Sequence, residues 1–197
     1  MVRRLWRCLV PALVLVLVAG PAWAAVTLTF YAHPGARVRD GYLLFPHAYV
    51  HASGTLDATG EAVDWSAGFT ARNPGPQLLF ARGRGEVASP DARYVGEGVP
   101  YLRLTVTDDA YRAIRARADW WGGEEGSVYD LRRRNCITFV ADLARLAGLE
   151  TAREPSMKPG GFLEATAALN PEAAIRTDIV QASPPQASAP HMPRAFR

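Results

Sequence analysis

Cysteine and histidine are both scarce in this chain. The 197 residues include two cysteines and four histidines, and one of the cysteines, Cys8, lies in the N-terminal segment. If that segment is removed on export, Cys136 has no partner with which to form a disulfide in the same chain. An unpaired thiol in an exported protein needs another explanation, and catalysis is the leading one.

The sequence also lacks an apolar run long enough to span a bilayer. Three arginines precede an apolar run over residues 9–19, which is shorter than the ~20 residues that a spanning helix needs. Ala22 and Ala24 then form a small-x-small cleavage site. We therefore predict a signal peptide over residues 1–24, a periplasmic or secreted protein that starts at Ala25, and no stable membrane anchor after cleavage. A retained anchor is the alternative interpretation.

An excess of charge of one sign is missing from the predicted mature chain. The formal net charge of the full sequence is +3, and the leader carries three arginines and no acidic residue, so 3 − 3 = 0 remains. The basic pI of the full chain therefore does not indicate nucleic-acid binding, and we predict no nucleic-acid partner. The oligomeric state is left open by the sequence.

The organisation of the chain predicts a single α+β domain over residues 25–181. About 150 ordered residues are enough for one core. Residues 182–197 are rich in Pro, Ser, Ala and Gln, and we predict a disordered tail there. Elsewhere, alternating apolar residues predict strands, and apolar residues at helical spacing predict helices. The predicted strands are 26–31, 42–56, 62–70 and 100–106, with a tight turn at 57–60, and the predicted helices run from the Thr107 cap to Gly122, from the Asn135 cap to Gly148, and over 162–169.

Two segments between these elements are predicted as loops. Residues 32–41 contain a proline and two glycines and include His33. Residues 73–98 are rich in Gly and Pro, and we predict a surface excursion with one short strand at 78–81. The remaining elements predict an antiparallel β-sheet packed against a few helices, with Cys136 at a helix N-terminus.

Cys136 is placed for nucleophilic chemistry. It follows Asn135, a good N-cap residue, and so occupies the first position of its predicted helix. The reactive form of cysteine is the thiolate, which the positive end of a helix and the preceding residues Arg132, Arg133 and Arg134 are expected to favour. The free N–H groups of the first helical turn are also placed to hold an oxyanion during acyl transfer. The alternative is that Cys136 is a small buried hydrophobic residue, the ordinary fate of a free cysteine.

The histidines favour the catalytic interpretation. His191 lies in the predicted tail and His33 in a predicted loop, whereas His47 and His51 share one face of a predicted strand with Tyr49. A strand that carries imidazole, beside a helix that begins with cysteine, provides a nucleophile and a base. Two histidines on a sheet face, or a metal pair, are the alternatives. Because no third ligand accompanies the pair, we predict no metal and no other cofactor.

A third residue that orients the catalytic histidine is expected from the neighbouring strand. With a tight turn between the two strands, His51 pairs with Ser66 and His47 pairs with Thr70, so that both hydroxyls flank the histidines. Asp64 is expected one pair further along, on the opposite face. The candidate orienting or accessory residues are therefore His51, Ser66, Thr70 and Asn135.

The order of these parts resembles a known family. His47-Ala-Tyr-Val on a strand precedes Tyr129-Asp-Leu-x-x-x-Asn-Cys-x-x-Phe-Val at a helix start. The segment from His47 to Gly148 thereby resembles the circularly permuted papain-like group of the NlpC-type superfamily, which includes lecithin:retinol acyltransferase-like proteins and their bacterial relatives. The resemblance implies a permuted papain-like fold with Cys136 as nucleophile and His47 as base. Such families hydrolyse amide bonds in peptidoglycan stems or other peptides, or transfer fatty acyl chains.

Three functions follow from these observations. The favoured function is an exported cysteine hydrolase, of amidase or endopeptidase type, that cleaves an amide through a thioester. Peptidoglycan stem peptide is the favoured substrate because peptidoglycan is the amide polymer of the periplasm. The second is a lipid acyl hydrolase or acyltransferase on the same fold, with Trp120, Trp121 and apolar residues near the 73–98 segment as its acceptor site. The third is a non-catalytic module that binds cell wall or protein, in which Cys136 would be buried or unreactive.

Overall fold

The computed structural model of the protein describes residues 25–37, 43–44, 46–153 and 158–175. The predicted signal peptide and the predicted tail, including His191, lie outside the described residues. Within them, no helix is both long and apolar enough to cross a membrane.

The described residues form an α+β fold around one antiparallel sheet. The strands are β1 (Val26–His33), β2 (Ala36–Arg37), β3 (Leu43–Leu44), β4 (His47–Thr55), β5 (Ala62–Ala71), β6 (Gly83–Ala88), β7 (Val99–Val106) and β8 (Val128–Tyr129). The helices are α1 (Ala92–Glu97), α2 (Asp108–Gly122), α3 (Cys136–Leu146) and α4 (Pro159–Leu169), with a 3₁₀-helix over Pro76–Leu79. Six strands form the main sheet in the order β7-β1-β4-β5-β6-β8, and β2 pairs with β3. An antiparallel sheet with a few helices is the class that the sequence predicts.

The two faces of the sheet have different coverings. Because side chains alternate along a strand, Leu28 and Phe30 of β1 share a face with Ala48 and Val50 of β4, and all four are buried in one core. Ile114 of α2, Phe139 of α3 and Leu163 of α4 belong to the same core, so these three helices pack on that face. The opposite face carries aromatic and histidine side chains of β1 and β4. The short helix α1 lies over part of this face, because the Tyr49 hydroxyl donates to the carbonyls of Tyr94 and Val95 at 3.2 Å each.

The predicted hairpin is confirmed from its turn to the Val50–Ala67 pair, but the predicted pairing of His47 with Thr70 is not among its pairs, and its faces need one correction. The Leu56 N–H donates to the Glu61 carbonyl at 2.9 Å, Gly60 has a φ of +72°, and His51 pairs with Ser66. Asp64, however, lies on the same face as Ser66, because residues two apart on a strand point the same way. Its carboxylate contacts the His51 ring on that face, Oδ1 to Nε2, at 2.9 Å.

Both predicted loops contain strand residues. β1 extends to His33, which pairs directly with His47, so that His33 belongs to the sheet and not to a loop. The 73–98 segment contributes β6 to the main sheet as well as α1, and residues 76–79 form a 3₁₀-helix where a strand was predicted. β6 escaped prediction because it contains two glycines, which are poor strand formers. Gly85 is required there, since a Cβ at this position would clash with the Phe69 ring of β5.

Helices α2 and α3 begin where the sequence predicts. Thr107 caps α2 by accepting from the Ala110 N–H at 3.3 Å, and Ile114, Ala118 and Trp121 face the core.

After α4, the chain returns to the sheet and covers the outer strand β7. The Arg103 N–H donates to the Ala173 carbonyl at 2.8 Å, the Ile175 N–H donates to the Tyr101 carbonyl at 2.9 Å, and Leu102 bridges to Ala174.

Candidate active site

Cys136 is the first residue of α3, and its position is fixed by an unusually complete cap. The Asn135 side-chain oxygen accepts from the Ile137 N–H at 2.9 Å and from the Thr138 N–H at 3.3 Å. In return, the Thr138 hydroxyl oxygen accepts from the Asn135 N–H at 2.9 Å, which completes a capping box. The Asn135 amide also donates to the Leu131 carbonyl at 2.9 Å. Asn135 therefore builds the start of the helix and does not orient a histidine.

The thiol of Cys136 is buried and protonated at neutral pH. It is 7% exposed, and burial raises its pKa to about 11. The backbone N–H groups of Ala48, Cys136 and Ile137 donate toward the sulfur and lower its pKa, but by less than burial raises it. The prediction that the helix terminus makes Cys136 a thiolate is therefore wrong for the conformation described, because desolvation outweighs the N–H groups.

The three preceding arginines serve the turn before the helix more than the sulfur. Arg134 donates to the Gly126 carbonyl at 2.8 Å and lies over the Trp121 ring, 3.8 Å from its centroid. Arg132 and Arg133 are exposed, and their backbone N–H groups donate to the Asp130 carboxylate. The Arg134 side chain is therefore engaged away from the sulfur, whereas Arg132 and Arg133 contribute to this turn only through their backbone N–H groups.

His47 borders the same cavity as Cys136. It is the first residue of β4, and the next residue, Ala48, donates its N–H toward the sulfur. The cavity has a volume of about 810 Å³ and is lined by both residues. Burial, together with the nearby His33, lowers the pKa of His47 to about 4. The imidazole is therefore neutral at neutral pH and able to accept a proton.

The His47 ring is held by packing. A Cβ on Gly68 of β5 would clash with the Nε2 atom, so the ring lies over this glycine. The Tyr49 ring stacks against it at 6.5 Å between centroids. Among the residues that the structure describes, no side chain is hydrogen-bonded to His47, the Cys136 thiol included. The nucleophile and base thus share a cavity without a direct hydrogen bond.

The candidate orienting residues separate into two groups. Thr70 and Asn135 line the cavity with His47 and Cys136. His51 pairs with Asp64, and the Ser66 hydroxyl donates to the Pro90 carbonyl at 2.6 Å; neither lines the cavity. None of the four makes a hydrogen bond to His47.

Aromatic residues around the site were missed from the sequence. Tyr94 of α1 lines the cavity, stacks on His33 at 4.2 Å between ring centroids, and has a pKa that is raised by burial and by the neighbouring Cys136. Tyr129 also lines the cavity, and burial together with Cys136 raises its pKa to about 12. The alternation in β1 continues through Tyr31 to His33 and could have placed His33 beside His47. Nothing local in the Gly/Pro-rich segment indicated Tyr94.

The cavity has one markedly apolar wall. The 73–98 segment contributes Pro74, Pro76, Leu78 and Leu79 to this wall. Two further apolar side chains, Leu131 and Ile137, come from residues near Cys136. Trp120 and Trp121, predicted as an acceptor site, do not line it, because Trp121 packs in the core and Trp120 stacks with Arg117. Within the described ranges, no group of three His, Cys, Asp or Glu side chains is placed to hold a metal ion.

Comparison with known proteins gives one structural likeness. No protein-family profile matches the chain, and no curated protein matches it. Among solved structures, the chain is similar to the type VI secretion system effector TseH, with 20% sequence identity over 75% of this chain and 90% of that one, and a TM-score of 0.46.

Proposed function

We propose that this protein is an exported cysteine hydrolase of the permuted papain-like group that cleaves amide bonds, with peptidoglycan stem peptide as the favoured substrate. One observation carries the proposal: Cys136, the first residue of α3, and His47, the first residue of β4, border one cavity of about 810 Å³. The two residues lie far apart in the chain, and the packing of α3 against the sheet brings them together. A nucleophile and a neutral base on one cavity are the minimum for acyl transfer.

The reaction would proceed through a thioester. His47 takes the thiol proton as the Cys136 sulfur attacks the amide carbonyl, and a C–S bond forms. His47 then gives this proton to the departing amine as the C–N bond breaks. A water molecule attacks the thioester with His47 as base again, which releases a carboxylic acid and restores the thiol. Because both groups are neutral at rest, proton transfer accompanies the attack and does not precede it.

Two backbone donors are suited to the oxyanion. The N–H groups of Ala48, Cys136 and Ile137 are directed at the sulfur, and a carbonyl oxygen attacked by this sulfur would lie beside them. The Ile137 N–H already donates to the Asn135 side chain at 2.9 Å. Ala48 and Cys136 are therefore the donors assigned to the oxyanion. Since His47 and Ala48 are consecutive, β4 supplies both the base and one oxyanion donor.

A lipid acyl substrate is a second candidate, and the lining of the cavity favours it. Leu78, Leu79 and three prolines of the 73–98 segment provide an apolar wall that would accept an acyl chain. The same thioester chemistry would act on an ester, with an alcohol as the leaving group.

A non-catalytic binding module is favoured by a different observation. Cys136 is buried, its pKa is raised to about 11, and it makes no hydrogen bond to His47 within the described part of the chain. For catalysis, the hydrogen bond between the imidazole and the thiol must form when substrate binds, as happens where working geometry is completed only in the complex.

Mass spectrometry of purified peptidoglycan fragments incubated with the protein separates these candidates. We expect cleavage of a stem-peptide amide by the wild type and at least ~100-fold slower cleavage by Cys136→Ala and His47→Gln. His51→Gln is the matched control, because His51 lies on the same strand but faces Asp64 outside the cavity. Full activity in Cys136→Ala would rule out the mechanism. Cleavage of long-chain acyl esters in place of peptides would identify the lipid enzyme, and unchanged ligand binding without any turnover would identify the binding module.

A further inference from the structure

An exposed apolar cluster stands at the mouth of the cavity. Leu78 and Leu79 line the cavity, Leu79 is 53% exposed, and the next residue, Phe80, is 90% exposed. We call these three residues the apolar rim. A phenylalanine with nine-tenths of its surface in water is unusual in a folded protein, because such side chains are normally withdrawn into the core. The rim is continuous with the apolar wall of the cavity.

Local hydrogen bonds hold the rim in this exposed position. The rim follows Gly75, which precedes the 3₁₀-helix, and the Phe80 N–H donates to the Gln77 carbonyl at 3.1 Å. The Gln77 side chain donates to the Asn73 carbonyl at 3.1 Å, which ties the start of the turn to its middle. The backbone is thus shaped within a few residues, and Phe80 projects from a fixed turn.

Exposed arginines lie before and after the rim in the chain and in the turn that follows Leu131. Arg72 and Arg82 flank it along the chain, and Arg132 and Arg133 follow Leu131, which lines the cavity beside Leu78. All four arginines are exposed. Arg82 joins the two sides of the mouth through an ion pair with Asp130, Nε to Oδ2, at 3.3 Å, and Arg72 pairs with Glu86 at 3.1 Å. Asp91 also lines the cavity, so four arginines and three carboxylates leave a local charge of 4 − 3 = +1 near the apolar tip.

We propose that this face docks on an anionic lipid membrane surface. The apolar rim enters the boundary between headgroups and acyl chains, and nearby arginines bind lipid phosphates. An apolar tip with a small excess of exposed arginine close to it complements such a surface on both counts. Arg132 and Arg133 are the side chains available to lipid phosphates, because Arg72 and Arg82 form ion pairs. Docking brings the mouth of the cavity against the bilayer. The contact is peripheral and reversible, and it needs no thiol chemistry, so it stands apart from the proposed hydrolase activity.

Vesicle binding by the exported protein tests the proposal. Cys136→Ala protein, with its N-terminus verified by mass, is sedimented with vesicles of phosphatidylcholine alone and of phosphatidylcholine with about one-quarter phosphatidylglycerol. We expect binding to the anionic vesicles that weakens as salt is added, because the arginine contacts are screened. Phe80→Asp should weaken it by about tenfold or more, since the rim then carries a charge into the interface. Arg132→Gln combined with Arg133→Gln should weaken the binding and flatten its salt dependence.

Matched controls make the test specific. Leu169→Asp introduces the same charge at a leucine that is 45% exposed on α4, outside the cavity, and Arg112→Gln removes an exposed arginine of α2. Both should bind vesicles as the parent does. The proposal would be overturned if the protein did not bind anionic vesicles, or if Leu169→Asp lost as much binding as Phe80→Asp. It would also be overturned if the protein bound no vesicles but self-associated through a contact that Phe80→Asp abolishes. Because every sample lacks the thiol, these outcomes are independent of whether the protein is a hydrolase.

Discussion

The reactivity of Cys136 toward iodoacetamide as a function of pH gives the sharpest test of the site. Alkylation requires the thiolate, and burial raises the pKa of Cys136 to about 11 in the folded protein. When the protein unfolds, the same thiol returns to its free value of about 9. Folding should therefore protect Cys136 by withholding the thiolate, in addition to restricting access to the sulfur.

The size of this protection can be worked out. At pH 7.5, a thiol with a pKa of about 11 is ionised roughly 100-fold less than one with a pKa of about 9. A more basic thiolate is a better nucleophile, with a Brønsted slope of about 0.45, which restores roughly tenfold of that loss. The folded protein should thus be alkylated at least about 10-fold more slowly than the unfolded chain at pH 7.5. Its rate should rise about tenfold per pH unit up to pH 10 without a plateau.

Labelling is followed on the tryptic peptide that contains Cys136, with circular dichroism at each pH to verify the fold. The same residue in urea-unfolded protein is the matched reference. His47→Gln should leave the folded profile nearly unchanged, because His47 is neutral over this range and makes no hydrogen bond to the thiol in the described conformation. A plateau with a midpoint below pH 8 that disappears in His47→Gln would refute the reasoning, since it would reveal a thiolate stabilised by an imidazolium.

Three other perturbations probe the surroundings of the thiol. The pKa of His47 falls from 6.5 to about 4 on folding, so the stability that the neutral imidazole contributes is complete above pH 6.5 and is lost as the pH falls toward 4. Urea denaturation should show the free energy of unfolding decrease by about 3 kcal/mol over this range. The His47→Gln variant should lack this decrease. Asn135→Ala should lower the unfolding free energy by about 1–2 kcal/mol, whereas Asn135→Asp keeps the capping oxygen and should retain most of it, so an equal loss in both would contradict the capping account. Gly68→Ala should displace the His47 ring and reduce hydrolysis while the far-ultraviolet circular dichroism stays native, and a fully active variant would show that the ring need not lie over Gly68.

The parts of the fold that local patterns determine were predictable. The β4–β5 hairpin has a turn with a positive-φ glycine and clear alternation on both arms, and α2 and α3 have strong caps. β6 was not predictable in the same way, because Gly85 is required by its contact with the Phe69 ring of the neighbouring strand. A residue selected by a distant contact carries no periodic signal of its own.

The sequence predicted that Cys136 and His47 lie close together, and it did not predict their electrostatics; their catalytic roles stay a prediction. The N-cap and the strand pattern placed Cys136 and His47, and both border one cavity. The direction of the thiol pKa was wrong because helix-terminus arguments treat the sulfur as solvated, and the burial that reverses them arises from tertiary packing. Tyr94 was missed for a related reason, since it reaches the cavity only through the fold of the 73–98 segment.

The chain that follows α4 has a consequence for self-association. β7 is the outer strand of the sheet, and an uncovered outer strand offers its N–H and carbonyl groups to a strand of another molecule. Ala173 and Ile175 already bond to the backbone of β7, which removes part of this template. A protein truncated before Pro171 would keep α4 and all eight strands yet expose that edge. We therefore expect it to form intermolecular β-structure on concentration, although no residue of the cavity would have been changed.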